Sequence, residues 1–265
     1  MKKGARGQCP RRGSVNQLNI PIRLLLCTFA LSAVAMQGAE KSWEALLKDG
    51  DAKMTDHHPR EALGLFQQAD QIAPNHTETH SRISEALSDL VDEEKSEHLA
   101  RESLEFAKRA AREDPGSSRA HVDLAIAYGK LTDYTDNKTK LEYSKLIKSE
   151  AEEAVHLDPN NALAAHVLGR WHEGIATLNP LLKTMARMIY GGMPPASMEE
   201  AITLLKRAVT LDPKSISYRR ELAVAYGHTG DKSLAKPQWE EILRLTPTDK
   251  EEILAQKEAR TALGR

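Results

Sequence analysis

The chain of 265 residues carries 37 Lys and Arg against 38 Asp and Glu, a formal net charge of −1. With a pI near 6.8, no whole-molecule field draws it to nucleic acid or to an anionic membrane surface, so any binding has to be local. Aromatics make up 5% and charged residues 28%, and the abundant Ala, Leu, Glu, Lys and Arg favour an all-α fold.

At the start of the chain, Lys2, Lys3, Arg6, Arg11, Arg12 and Arg23 precede the first acid, Glu40. An uncharged run of 13 residues follows from Leu24 to Met36, with small residues at Ala33, Ala35, Gly38 and Ala39. This is the layout of a secretory signal peptide, so residues 1–39 are expected to be removed, after Ala35 or Ala39, from a domain spanning residues 40–265. The run is shorter than the roughly 20 residues of a membrane-spanning helix, which favours removal over a retained, tilted anchor. Pro10, Pro21 and the unbroken apolar run fit a mitochondrial presequence poorly. The residues before Cys27 lack the small side chain expected ahead of a lipid-modified cysteine. The expected location is therefore outside the cytoplasm, periplasmic or extracellular. Cys9 and Cys27 are the only cysteines, so the domain itself is expected to hold no disulfide or zinc–thiolate site.

The rest of the chain is organised by prolines. Ala69 and Pro74, Ala110 and Pro115, Ala154 and Pro159, Ala208 and Pro213, and Ile242 and Pro247 are each separated by five positions. Each proline marks the close of one helix and the turn into the next. Behind each of the first four comes a large residue beside a small one: Ile83-Ser84, Leu124-Ala125, Leu168-Gly169 and Leu222-Ala223. Leu87, Tyr128, His172 and Tyr226 follow three places later, and together these positions let two antiparallel helices approach closely. Pro247 lies 34 residues after Pro213, the tetratricopeptide period. The earlier intervals of 41, 44 and 54 exceed it by 7, 10 and 20.

The first insertion is close to two helical turns and is expected to lengthen the helices between Leu87 and Ser103 in phase. The second reads as a polar loop, Thr132 to Lys138. The third begins at Asn179-Pro180, is apolar at Leu181, Leu182, Met185, Met188 and Ile189, and closes after Tyr190 with Gly191-Gly192. It reads as a helical segment packed on the array, or as a lid over the groove or a membrane contact built from Leu181, Leu182, Met185, Met188, Ile189 and Tyr190. A weaker first unit runs from Trp43 to Pro74. A mostly polar helix from Thr248 to Leu263 caps the far end. The fold class predicted is all-α, a TPR-like superhelix of stacked helix pairs with a helical insertion in the fourth unit.

Three stretches carry a more particular resemblance: Tyr143-Ser144-Lys145-Leu146-Ile147-Lys148, His166-Val167-Leu168-Gly169-Arg170-Trp171 and Pro194-Pro195-Ala196-Ser197-Met198-Glu199-Glu200-Ala201. In these the chain resembles the regulator of microtubule dynamics family over most of Trp43 to Pro247. The resemblance implies association with microtubules for some members and phospholipid binding at organelle contacts for another. It also makes cytoplasm, cytoskeleton or mitochondrion the alternative location. Tubulin is a partner only in the cytosol of a eukaryote.

In an array of this kind the first helix of each unit lines the concave surface, at about four, seven, eleven and fourteen residues after the preceding proline. Those positions are Glu78, Ser81, Glu85 and Ser88; Arg119, Val122, Ile126 and Gly129; Leu163, His166, Arg170 and Glu173; and Ser217, Arg220, Val224 and Gly227. The candidate binding residues are Val122, Ile126, His166, Arg170, Glu173, Arg220 and Val224. No Lys and Asn clamp for a terminal carboxylate stands among them. A groove acidic at one end and apolar with scattered Arg at the other suits a protein or peptide helix, or a lipid with an anionic head.

No catalytic or metal constellation emerges. His76 and His80 have Glu78 two places after the first His, where the metalloprotease pattern needs it at the next position. His57-His58 lies in a turn, and His166 and His172 face different sides of one helix. No nucleophile elbow or phosphate loop accompanies the Ser, His and Asp residues. The function expected is a non-enzymatic binding scaffold without cofactor or metal; the alternative is a phospholipid-binding module.

Overall fold

The computed structural model describes residues 41–265; the proposed leader, with both cysteines, lies outside them. The described residues form α1 (Trp43–Thr55), α2 (Pro59–Ile72), α3 (Thr77–Glu94), α4 (Glu97–Glu113), α5 (Ser118–Leu131), α6 (Asn137–Leu157), α7 (Ala162–Ala176), α8 (Pro180–Tyr190), α9 (Met198–Leu211), α10 (Ile216–Thr229), α11 (Lys232–Ile242) and α12 (Lys250–Ala262). Five pairs, α1–α2, α3–α4, α5–α6, α7–α9 and α10–α11, stack in order, and α12 closes the array on α10 and α11. The first helices α3, α5, α7 and α10 also touch in succession, giving the array an inner layer.

The five-residue spacing has a direct physical origin. Proline has no N–H, and its ring clashes with the carbonyl four residues back, so the last helical bond comes from the residue before it. The amides of Ala73, Asp114, Asp158 and Asp212 donate to the carbonyls of Ala69, Ala110, Ala154 and Ala208. All four alanines are fully buried. In the last unit Gln256 of α12 donates its side-chain amide to the Ile242 carbonyl instead, at 3.1 Å.

The Asp before three of these prolines acts in the turn. The carboxylates of Asp114, Asp158 and Asp212 accept the amides of Gly116, Asn160 and Lys214 at 3.0, 2.9 and 3.2 Å, which fixes an Asx turn. Two residues after the proline, Ser117, Asn161, Ser215 and Asp249 cap the next helix through the amides of Ala120, Ala164, Tyr218 and Glu252. Such caps are each worth about 1 kcal/mol. Pro74 lacks both devices: Ala73 precedes it, and His76 makes no capping bond.

The small residue of each large-small pair sits at a close helix approach. Gly169 faces Leu205 and Ala201 of α9. Ser84 stands where other units have Ala or Gly, and its hydroxyl donates to the Ser103 carbonyl while Ser103 donates to the Ser84 carbonyl, both at 3.1 Å. That reciprocity lets two buried hydroxyls replace alanines without an orphaned polar group. The seven-residue insertion does lengthen α3 and α4, to 18 and 17 residues. The ten-residue one is only partly a loop, because α6 begins at Asn137 and runs for 21 residues.

A side chain six residues after the proline ties three first helices to their second helices. His80 meets Glu113 of α4 at 2.8 Å and Asp70 of α2 at 3.0 Å, His121 meets Glu150 of α6 at 2.6 Å and the Pro115 carbonyl at 3.0 Å, and Arg219 donates to Gln238 of α11 at 2.9 Å. Burial lowers the pKa of His121, but the bonds to Glu150 and Pro115 and the charges of Glu150 and Glu153 outweigh it, so the net direction is upward. A raised histidine adds stability that is complete below its unfolded value of about 6.5 and is lost as pH rises through the folded value. Urea denaturation should therefore show the stability advantage of wild type over His121→Asn shrinking as pH rises from acid to mildly alkaline. A difference that grows with pH contradicts this.

Candidate functional site

A cleft of about 420 Å³ opens on the inner layer, between α3, α5, α7 and the start of α10. Of the expected groove positions, Glu85, Ser88, Ile126, Leu163, His166 and Ser217 line it. Ser84, Asp89, Asp123, Lys130, Ser215 and Tyr218 line it as well, and none of these six was anticipated.

The expectation for Val122 is overturned. Val122 is fully buried and packs on Ala154 of α6 and Ala164 of α7, because its face of α5 is turned into the next unit. Arg170, Glu173, Arg220 and Val224 do not line this cleft. Val224 borders a separate hollow between α10, α11 and α12, together with Gly227 and Trp239.

Charges at the acidic end are largely paired. Arg119 reaches Asp123 at 3.1 Å and also bonds Glu85, and Lys130 bonds Asp92. Burial pushes the Asp123 carboxyl up to about 7, with Arg119 pulling down and Glu85 pushing further up. Both ring nitrogens of His166 are closed off from solvent and have no hydrogen-bond partner, while its ring lies 4.7 Å from that of Tyr218. Burial, then the charge of Arg170, lowers its pKa to about 3, so the imidazole is neutral at physiological pH with one donor and one acceptor unused.

Of the two arginines expected to meet an anion, Arg220 is paired twice, and the exposed Arg170 lies near a carboxylate that it shares with Arg220. Arg220 reaches Glu258 at 2.6 Å and Glu221 at 2.7 Å, and Arg170 lies 3.7 Å from Glu221. Glu173 faces His228 at 3.5 Å, and its carboxyl is raised first by burial and then by Glu221. A lipid headgroup would have to displace these internal pairs.

The inserted segment forms α8, opened by the Asn179 cap on Leu182 at 2.9 Å and closed by Gly191 in the left-handed region at φ 72°. It packs on α6, and none of its residues lines the cleft. α8 is anchored by bonds to α6 and does not cover this cleft, which corrects the lid reading there, while its Leu182 lines a second hollow with Arg170 and Trp171. Ser144 of α6 is the anchor, accepting Tyr190 Oη–H at 2.8 Å and Trp171 Nε1–H at 2.9 Å. Lys145 donates to the Ile189 carbonyl and stands 5.1 Å from the centre of the Tyr190 ring. Tyr190 is half-buried, Leu182, Met185 and Ile189 are partly covered, and Leu181 and Met188 are exposed. No helix among the described residues is long and apolar enough to cross a membrane.

Stacked helix pairs, proline-ended second helices and an inner cleft define a tetratricopeptide-repeat protein. A thermophilic TPR protein of Thermus thermophilus shares this fold, with a TM-score of 0.64 at 20% identity over 84% of this chain and 100% of that one. The family model described as Regulator of microtubule dynamics protein 1-3 matches residues 45–265, and the chain belongs to that family. It is 34% identical to Regulator of microtubule dynamics protein 1 of Bos taurus over 137 residues, 52% of this chain and 43% of the relative. With protein 2 of Mus musculus the identity is 24% over 231 residues, 85% of this chain and 56% of the relative. The chain thus spans about half the length of the curated relatives it matches.

Proposed function

We propose that this protein is a non-enzymatic binding scaffold whose inner cleft receives a segment of a protein partner. The observation that supports this reading is the cleft itself: a concavity shared by four first helices, walled by Ile126, Leu163 and Tyr218, with an unsatisfied imidazole inside it. Buried polar groups are ordinarily bonded, and an orphaned one beside a cavity marks a place where a ligand can supply the missing bond. The internal pairing of Arg170 and Arg220 favours this over the phospholipid reading. The relatives' name makes tubulin the first partner to test where the protein shares a eukaryotic cytosol.

A photo-crosslinking residue placed at Ser217, exposed in the cleft, should capture the partner. The same residue at Thr203, exposed on α9, should not. Equal capture at both positions would remove the cleft from the reading. Ile126→Arg should abolish capture at Ser217, since it places a long charged side chain on the cleft's apolar wall.

A further inference from the structure

The cleft is unevenly charged. Glu85, Asp89, Asp92 and Asp123 stand on α3 and α5 with two cations among them, Arg119 and Lys130, and both cations are engaged: Arg119 with Glu85 and Asp123, Lys130 with Asp92. Asp89 takes part in none of these pairs and lines the cleft with an exposed side chain, but the protein around it, then the charge of Glu85, raises its carboxyl to about 7, so a cation arriving beside it favours the ionised form. An acidic surplus alone would be solvated, but this one adjoins His166, whose ring nitrogens have no partner. Ile126 and Leu163, both partly buried, supply apolar wall between them.

We infer that the cleft receives a single basic side chain, lysine or arginine, from the partner segment, with Asp89 taking its charge and Ile126 and Leu163 flanking its methylene stem. The His166 nitrogens are sealed from solvent with the Tyr218 ring 4.7 Å away, and they supply a polar contact once the incoming segment moves that ring aside. Long cationic side chains suit such a site, because the stem covers apolar surface while the head reaches a carboxylate at the mouth. The internal cations are each already bonded to another acid, Arg119 to Asp123 and Lys130 to Asp92 of α3, and Lys130 acts on Asp89 through space without pairing with it. An anionic segment would meet the same carboxylates as repulsion, which makes the site selective by sign.

This rests on the proposed cleft function, and peptides test it separately. Short fluorescein-labelled peptides identical except for one central residue, Lys, Arg, norleucine or Glu, are titrated against the full chain by anisotropy. The Lys and Arg peptides should bind about fivefold more tightly than the norleucine peptide, the scale of a partly exposed charge pair, and the Glu peptide more weakly still. Asp89→Asn should erase that preference without lowering the unfolding temperature, because Asp89 makes no ion pair and burial and the charge of Glu85 already disfavour its ionised form. Glu97→Gln on α4, outside the cleft, should keep it.

Equal binding of the Lys and norleucine peptides overturns the inference, as does a preference that survives Asp89→Asn. If norleucine binds as well as Lys and Ile126→Arg abolishes both, the cleft reading stands and the cation site falls. If no peptide binds, the cation site falls and the cleft is judged on the Ser217 crosslink alone.

Discussion

Trp171→Ala is expected to cost about 3–5 kcal/mol, the range for deleting a large buried aromatic. Trp171 is 6% exposed and packs with Ala125, Ala151, Leu168, Ile175 and Leu204, so the α5–α6 and α7–α9 pairs lose contact together. Its indole N–H also donates to the Ser144 carbonyl and hydroxyl, both at 2.9 Å. In a repeat array each unit is stabilised only by its neighbours; a defect in the middle should therefore split urea unfolding into two transitions. Trp171→Phe keeps most of the bulk and loses the bonds, so its cost should be nearer 1 kcal/mol per bond. Because Ser144 also anchors Tyr190, trypsin should cut at Lys183 and Arg187 faster in the Ala variant than in the Phe variant. A cost for Trp171→Ala below about 1 kcal/mol, far under the range for such deletions, would refute this role.

Glycine-to-alanine exchanges should change sign with position. A Cβ at Gly50 would lie 2.2 Å from Phe66 Cε1, and one at Gly169 would lie 2.9 Å from Leu205 Cγ and 3.3 Å from the Ala201 carbonyl oxygen. Phe66 and Leu205 are fully buried and have nowhere to retreat, so Gly50→Ala and Gly169→Ala should each destabilise by about 1–3 kcal/mol. At Gly64 in α2 nothing lies within 4 Å of the added methyl. There the helix gains what glycine costs it, and Gly64→Ala should stabilise by about 0.5–1 kcal/mol. Denaturant midpoints for the three variants decide the matter, and stabilisation by all three would show that helix propensity outweighs packing at these sites.

The glycines also show why the repeat was legible. Gly169 and Trp171 belong to one of the stretches that carried the family resemblance, and both act at contacts between neighbouring helices. The proline spacing was readable because it follows from backbone chemistry within a single helix. Asp before proline and Ser or Asn two places after it were visible for the same reason, since each acts on an amide two or three residues away.

The cleft was harder to read, and the error has a regular form. Asp89, Asp123, Lys130 and Tyr218 each stand one residue after an expected groove position, namely Ser88, Val122, Gly129 and Ser217. Side chains on a helix tilt toward its N-terminus, so a given patch of surface is covered by a residue about one place further along. Counting from backbone positions alone therefore turned Val122 outward when it faces Ala154 and Ala164. Arg170 was read as a free cation because Glu221 lies 51 positions away from it, and Arg220 because Glu258 lies 38 positions away, although its other partner, Glu221, is the next residue.

What the sequence by itself determined was the all-α class, the five proline-marked units, the helical insertion and the polar terminal helix. These depend on periodicity and on bonds between residues a few places apart. Only the tertiary structure decided that α8 rests on α6 and leaves the cleft uncovered, which arginines are spent on glutamates, and that Asp89 and His166 share one cavity. Those outcomes depend on the rotation of each helix about its axis and on contacts between units, where one residue of offset turns a side chain by about 100°.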